Sequence, residues 1–344
     1  MKAAVLTGFN KMEIRELPTP EIRREDEVLL EVQAVGVCGS DVHYYTEGKI
    51  GSQVVEYPYR VGHECSARVA DTGPGVKTLR KDDLVAVDPA TPCGTCDQCS
   101  KGRENTCRNL TFLGTPGQGE GCLCEYITMQ EKTLFCTPAG MTAEMAALVE
   151  PLSIGVYSVG LSSLRENEKI GILGSGPIGL SVLVSALDRG AQRAYVTDPI
   201  PNRLETASRA GACWTGNPHE EDIVARIEEQ EPLLLDTVFE CSGEQEALDQ
   251  AVDLLKPGGK LVVVGIPELD RVSFSIDKIR RKELCIQNVR RQNNCVRKAI
   301  DLLDRNPEYA DLIISHHFRL SEAVKAFDLV RNYEDGVIKA IIKP

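Results

Sequence analysis

The sequence is poor in aromatic residues, which make up 5% of its 344 positions with a single tryptophan. A site walled mainly by bulky rings for a large apolar ligand is therefore disfavoured. Positive charge is also short, with 39 Lys and Arg against 51 Asp and Glu, a formal net charge of −12. That balance argues against nucleic acid or an anionic membrane surface as the main partner. The acidic residues are scattered, as in EEDIVARIEEQE, and read as a solvated surface. No internal repeat and no low-complexity tract is present. The stretch from Ile170 to Leu187 is uncharged, but Gly171, Gly174, Gly176, Pro177 and Gly179 break it into a strand, a turn and a helix. It is not read as a bilayer span. The opening MKAAVLTGFNKMEIREL has no apolar run followed by a cleavage site, so no signal peptide is expected.

What the chain does have is cysteine, thirteen in all. The number is odd and the chain is not small, so a secreted disulfide scaffold does not fit, and the cytoplasm is the expected location. The length allows two domains, and 42% hydrophobic with 26% charged residues is ordinary for a globular enzyme.

Four cysteines crowd into "PCGTCDQCSKGRENTC". Cys93, Cys96, Cys99 and Cys107 read C-x2-C-x2-C-x7-C. Tight C-x2-C steps let successive thiolates converge on one ion, and the later cysteine closes a tetrahedron. An iron–sulfur run of the ferredoxin type would end in a shorter gap and Cys-Pro, whereas here Thr106 precedes Cys107. Disulfides across such short loops would be strained. The reading is a four-thiolate zinc site, which is coordinatively closed and so orders a lobe rather than doing chemistry.

A second set is less conspicuous. "VGVCGSDVHYY" offers Cys38, Ser40, Asp41 and His43, "YRVGHECSARV" offers His63 and Glu64, and "ALVEPLSIGVY" offers Glu150. One thiolate, one imidazole and one or two carboxylates make a mixed metal site of the catalytic kind, with a position left open.

From about residue 153 short apolar strands alternate with amphipathic helices, which predicts a parallel, doubly wound sheet. "EKIGILGSGPIGLSVLVSALDRGAQRAYVTD" reads as strand, glycine turn, helix and second strand. Gly174, Gly176 and Gly179 form G-x-G-x-x-G, with Pro177 and Ile178 opening the helix that would face the phosphates of a dinucleotide. Asp198 ends the second strand, where a carboxylate accepts from both adenosine ribose hydroxyls and repels a 2′-phosphate. Pro199 and Ile200 supply no arginine in its place, so NAD is expected over NADP. "LLLDTVFECSG" reads as a strand ending in a loop, Glu240 to Gly243 with Cys241, that borders the cofactor. "KLVVVGI" reads as a buried strand leading to Gly265 and Ile266, beside the nicotinamide.

"VCGSDVH", "GHE", the four-cysteine lobe, "EPLSIG" and "GSGPIG" occur in this order and at these intervals. Over essentially its whole length the chain resembles the zinc-dependent medium-chain dehydrogenases, in their sorbitol (polyol) dehydrogenase branch. The resemblance implies a mostly β, GroES-like catalytic domain over residues 1–152 and 292–344, and a Rossmann NAD-binding domain over 153–291. It implies two zinc ions per chain, with Cys38, His63 and Glu64 holding the catalytic one and Glu150 facing it as a near or exchanging ligand. Ser40 would take the alcohol proton and His43 would pass it on. Asp41 would orient the imidazole of His63. Arg203 matches a position beside the adenosine ribose. Tyr44, Ile50, Phe112, Thr115 and Arg291 match the substrate pocket.

Departures from the pattern are informative. Where the branch carries Arg-Tyr, this chain has Arg291-Gln292, which points to a polyol, cyclitol or sugar derivative with different hydroxyl geometry from sorbitol. Ala67 replaces a glycine that usually lets strands pack closely, and Asp82-Asp83 replaces Gly-Asp. Oxidation of a 3-hydroxy amino acid such as threonine is the alternative activity. A non-catalytic cofactor-binding protein is disfavoured because the candidate catalytic set is complete. The partner is expected to be a small molecule, with a homotetramer or dimer as the assembly.

Overall fold

The computed structural model describes residues 1–267 and 269–344. It divides into two compact units, Met1–Glu150 with Ala299–Pro344, and Pro151–Lys298. Both crossings fall within helices, Ala143–Ser162 and Val296–Arg305.

Among the described residues the first unit is built on a seven-stranded sheet. Its order is Leu134–Cys136, Leu84–Val87, Glu64–Thr72, Glu27–Gly36, Lys339–Lys343 and Ile314–Arg319, with Tyr126–Gln130 also paired to Glu27–Gly36. The strand Glu27–Gly36 alternates as a half-buried strand should, with Val28, Leu30, Val32 and Ala34 all turned into the core. Its register then positions the site. Gly36 is opposite Glu64 on one neighbour and opposite Ile341 on the other. The chain continues through Val37 to Cys38, so that cysteine emerges between the start of one strand and the start of the C-terminal one.

The positions that depart from the family pattern have visible consequences. Ala67 is fully buried, and the register between its strand and Glu27–Gly36 shifts between Val32 and Ala34. Asp82 has φ of +72°, a conformation glycine adopts freely and that Asp tolerates better than most side chains.

The second unit is a six-stranded, wholly parallel sheet. In space its strands run Trp214–Gly216, Arg193–Thr197, Lys169–Leu173, Leu235–Glu240, Leu255–Val263 and Cys285–Asn288. A parallel sheet is what the alternating sequence predicts, and numbered along the chain its order is the 3-2-1-4-5-6 of the dinucleotide-binding fold. The helix Gln245–Leu254 is followed at once by the strand Leu255–Val263, which takes in Pro257, Gly258 and Gly259.

Among the described residues one helix, Ala143–Ser162, is long and apolar enough to cross a membrane, and 67% of its apolar window is buried inside the protein.

Candidate functional site

Cys38 is the cap residue of the helix Gly39–Thr46, with extended φ and ψ. Ser40 and His43 thus lie on a helix, three residues apart and on one face. Ser40 Oγ donates to Cys38 Sγ at 3.3 Å, and His43 Nδ1 is 3.0 Å from Glu47 Oε1. Asp41, on the same helix, is 1% exposed. Its Oδ1 accepts from Gly62 N–H at 3.1 Å and lies 3.3 Å from His63 Nδ1. The helix therefore delivers the thiol, a hydroxyl and the carboxylate that fixes the imidazole.

The ligand atoms of Cys38, His63 and Glu64 lie within 4.8 Å of one another, although Cys38 comes from a different segment from the other two. Glu150 stands outside that group but is coupled electrostatically to His63 and Glu64. Burial opposes charge on His63, yet Asp41 and the Cys38 sulfur outweigh it and hold the imidazole well above its usual pKa. Burial pushes the Glu150 carboxyl up to about 7, with Glu64 and Asp88 adding to the rise against His63 and Lys339. Asp41 Oδ2 is buried with no hydrogen-bond partner among the described residues. One soft donor, one imidazole and one carboxylate, surrounded by further acidic groups, form a donor set that fits zinc with a position to spare.

Sequence reasoning missed Lys339. It is 2% exposed and donates to both Glu64 oxygens and to the Val37 carbonyl. A lone lysine in a C-terminal strand carries no local signal of such a role.

Of the expected substrate residues, Phe112 lies beside His63, the rings tilted by 55° with centroids 5.6 Å apart. Tyr44 is buried and donates its hydroxyl to Gln53 Oε1 at 3.1 Å. Thr115 is buried, and Ile50 lies in a short hairpin against the core. Arg291 belongs to the second unit and has φ of +53°. Its neighbour Gln292 is buried and accepts from Cys295 N–H at 2.9 Å.

Cys93, Cys96, Cys99 and Cys107 also converge within 4.8 Å. The peptide N–H of Thr95 and other donors lower Cys93 to about 5, as a thiolate ligand requires. Burial and the neighbouring thiols raise Cys99 to about 12, a crowding that a bound cation relieves. Four sulfurs fit one zinc ion and leave no open position.

In the second unit Gly174 has φ of +96°, and a side chain there would press on Cys241 and Ser242. A Cβ on Gly179 would collide with the Gly174 carbonyl. The helix starts at Pro177 with Gly176 as its cap, followed by Ile178. Asp198 is buried; its Oδ2 accepts from Ser175 N–H at 2.8 Å and its Oδ1 from Ile200 N–H at 2.9 Å. Each oxygen keeps a lone pair for a ribose hydroxyl. Arg203 Nη1 is 3.8 Å from Asp198 Oδ2, beside the turn. Cys241, Gly265 and Ile266 lie at the carboxyl ends of two adjacent strands, with Ile266 exposed. A glycine cradle too tight for side chains, with an acid at its rim, fits a dinucleotide.

Fold and site together define a metal-dependent dehydrogenase with a Rossmann unit. Residues 24–139 match the family described as alcohol dehydrogenase GroES-like domain, and residues 177–305 match zinc-binding dehydrogenase. The chain is 35% identical to the sorbitol dehydrogenase of Bacillus subtilis, over 100% of this chain and 97% of that one. Among solved structures it is similar to ECK1772, an Escherichia coli oxidoreductase/dehydrogenase of unknown specificity (TM-score 0.93, 31% identity, covering 99% and 98% of the two chains). It is also similar to galactitol-1-phosphate dehydrogenase from Escherichia coli (TM-score 0.92, 28% identity, covering 100% of both). The chain belongs to the zinc-dependent medium-chain dehydrogenases, in the sorbitol dehydrogenase-like branch.

Proposed function

We propose that the chain oxidises a secondary hydroxyl of a polyol, cyclitol or sugar derivative to the ketone, with NAD+ as acceptor. The observation that carries this reading is the convergence of Cys38, His63 and Glu64 within 4.8 Å. When bound, zinc supplies the Lewis acidity that lowers the pKa of the hydroxyl, and NAD+ supplies the hydride acceptor.

The remaining work belongs to the chain. Cys38, His63 and Glu64 hold the catalytic ion, and Asp41 fixes the His63 ring so that its other nitrogen faces the ligand side. Ser40 Oγ receives the substrate proton and His43 carries it towards solvent. Glu150 keeps a carboxyl beside the ion's site, and Cys93, Cys96, Cys99 and Cys107 hold the second ion, which orders the lobe. Asp198 and Arg203 bind the adenosine ribose, and the Gly174–Gly179 turn takes the pyrophosphate.

Tyr44, Ile50, Phe112 and Thr115 contribute the substrate pocket. Gln292, which stands where the branch carries tyrosine, spends its side-chain carbonyl on Cys295. That favours a substrate whose hydroxyls differ in arrangement from sorbitol's. A cytoplasmic homo-oligomer, tetramer or dimer, completes the reading.

An NADH-absorbance screen of polyols, inositols, sugars and threonine, with and without chelator, tests it. Chelator-sensitive reduction of NAD+ by a polyol is expected. Turnover of threonine alone, or turnover indifferent to metal removal, would refute it.

A further inference from the structure

Glu240 is fully buried at the carboxyl end of the strand Leu235–Glu240. That strand lies beside Lys169–Leu173, where the strand order of the parallel sheet reverses. In open parallel sheets ligands bind in the crevice outside the carboxyl ends at this reversal.

The residue ties two loops together. Its Oε1 accepts from Ser242 N–H (2.6 Å), Ser242 Oγ–H (2.7 Å) and Gly243 N–H (2.7 Å). Its backbone carbonyl accepts from Val264 N–H (2.8 Å) and Gly265 N–H (2.9 Å). The loops that follow two neighbouring strands are thus held by one side chain and its own peptide. Gly265 leaves room for the carboxylate, since a Cβ there would lie 2.7 Å from Glu240 Oε2.

Oε2 itself is buried with no hydrogen-bond partner among the described residues. Burial raises the pKa of the Glu240 carboxyl, and the donors on Oε1 work against that rise. A negative charge kept at this place is suited to a positive ligand. The nicotinamide ring carries a positive charge when oxidised and none when reduced, and in a water-poor crevice a unit charge acts over several ångströms.

We infer that Glu240 is a positioning residue that favours the oxidised, cationic nicotinamide over the reduced, neutral one. It acts through its field and through the loops at Ser242–Gly243 and Gly265, without touching the ring. The inference rests on the dinucleotide reading of this unit.

Calorimetric titration of the metal-loaded chain with NAD+ and with NADH tests it. Glu240→Gln keeps the size and one acceptor while removing the charge. It is expected to weaken NAD+ about tenfold (~1.4 kcal/mol) and to leave NADH within about twofold. Equal loss of both dinucleotides marks a merely structural tie and overturns the inference, as does no change in either. Should Glu240→Gln fail to fold by circular dichroism, Glu240→Asp carries the test. It retains the charge, so a preference for NAD+ must survive in it even if both affinities drop, and a lost preference overturns the inference. Failure of the unmutated chain to bind either dinucleotide would overturn the cofactor reading and this inference with it.

Discussion

Lys339 Nζ lies 2.6 Å from Glu64 Oε2 and 2.9 Å from Glu64 Oε1, with both side chains 2% exposed. The pair spans 275 residues of sequence and sets a buried counter-ion against a candidate metal ligand. Removing one partner of a buried ion pair leaves the other uncompensated, at about 3–5 kcal/mol. Lys339→Met should cost roughly that much in denaturant unfolding of chelated protein. A bound divalent cation replaces part of the missing charge, so zinc should recover a good part of the loss. Equal losses with and without metal would show that Glu64 does not sense the ion.

Ser40 donates to the Cys38 sulfur and sits on the same helix face as His43. Ser40→Ala should lower turnover about 10²–10⁴-fold, the range for a general acid–base group. Metal content by plasma spectrometry and NAD+ affinity should be unchanged. A large loss of zinc in this variant would reassign Ser40 to holding the thiolate.

Glu150 provides a pH test in metal-depleted protein. Its folded pKa is raised from 4.5 to about 7, so between those values the folded chain binds more protons than the unfolded chain. Stability from this group is therefore fully present below the unfolded pKa and is lost as pH rises from there through about 7, by about 3 kcal/mol. Glu150→Gln should flatten that part of the stability-against-pH curve relative to the unmutated protein. Parallel curves would exclude a raised Glu150.

Asp198 uses both oxygens on backbone N–H groups of the glycine turn and the following loop. Asp198→Ala should weaken NAD+ about 10- to 100-fold, as expected when hydrogen bonds to a charged group are lost. It should also narrow the gap in kcat/KM between NAD+ and NADP+, since repulsion of a 2′-phosphate goes with the carboxylate. An unchanged ratio would mean that discrimination lies elsewhere.

The four-cysteine lobe should separate from the chemistry. Cys93→Ser is expected to lower zinc from two ions per chain to one, matching the two donor groups, and to make the lobe sensitive to protease. Turnover per intact molecule should fall far less than in Cys38→Ser. Equal loss of turnover in both would tie the lobe to catalysis.

Much of this protein is set by local pattern. C-x2-C spacing converges sulfurs on one point because neighbouring turns are short, and G-x-G-x-x-G before a helix demands backbone that only glycine provides. Alternating strands and helices likewise dictate a parallel sheet, and Asp198 falls at its rim by chain length alone. What the sequence could not specify is partnership across distance. Cys38, His63 and Glu64 meet because Gly36 is registered opposite both Glu64 and Ile341, which also brings Lys339 to Glu64. Glu240 reads from sequence as the start of a loop bordering the cofactor, and only the structure shows its carboxylate buried between two loops with one oxygen unpaired among the described residues. Strand register and burial decide which charges share a low-dielectric space, and no short window of sequence contains either.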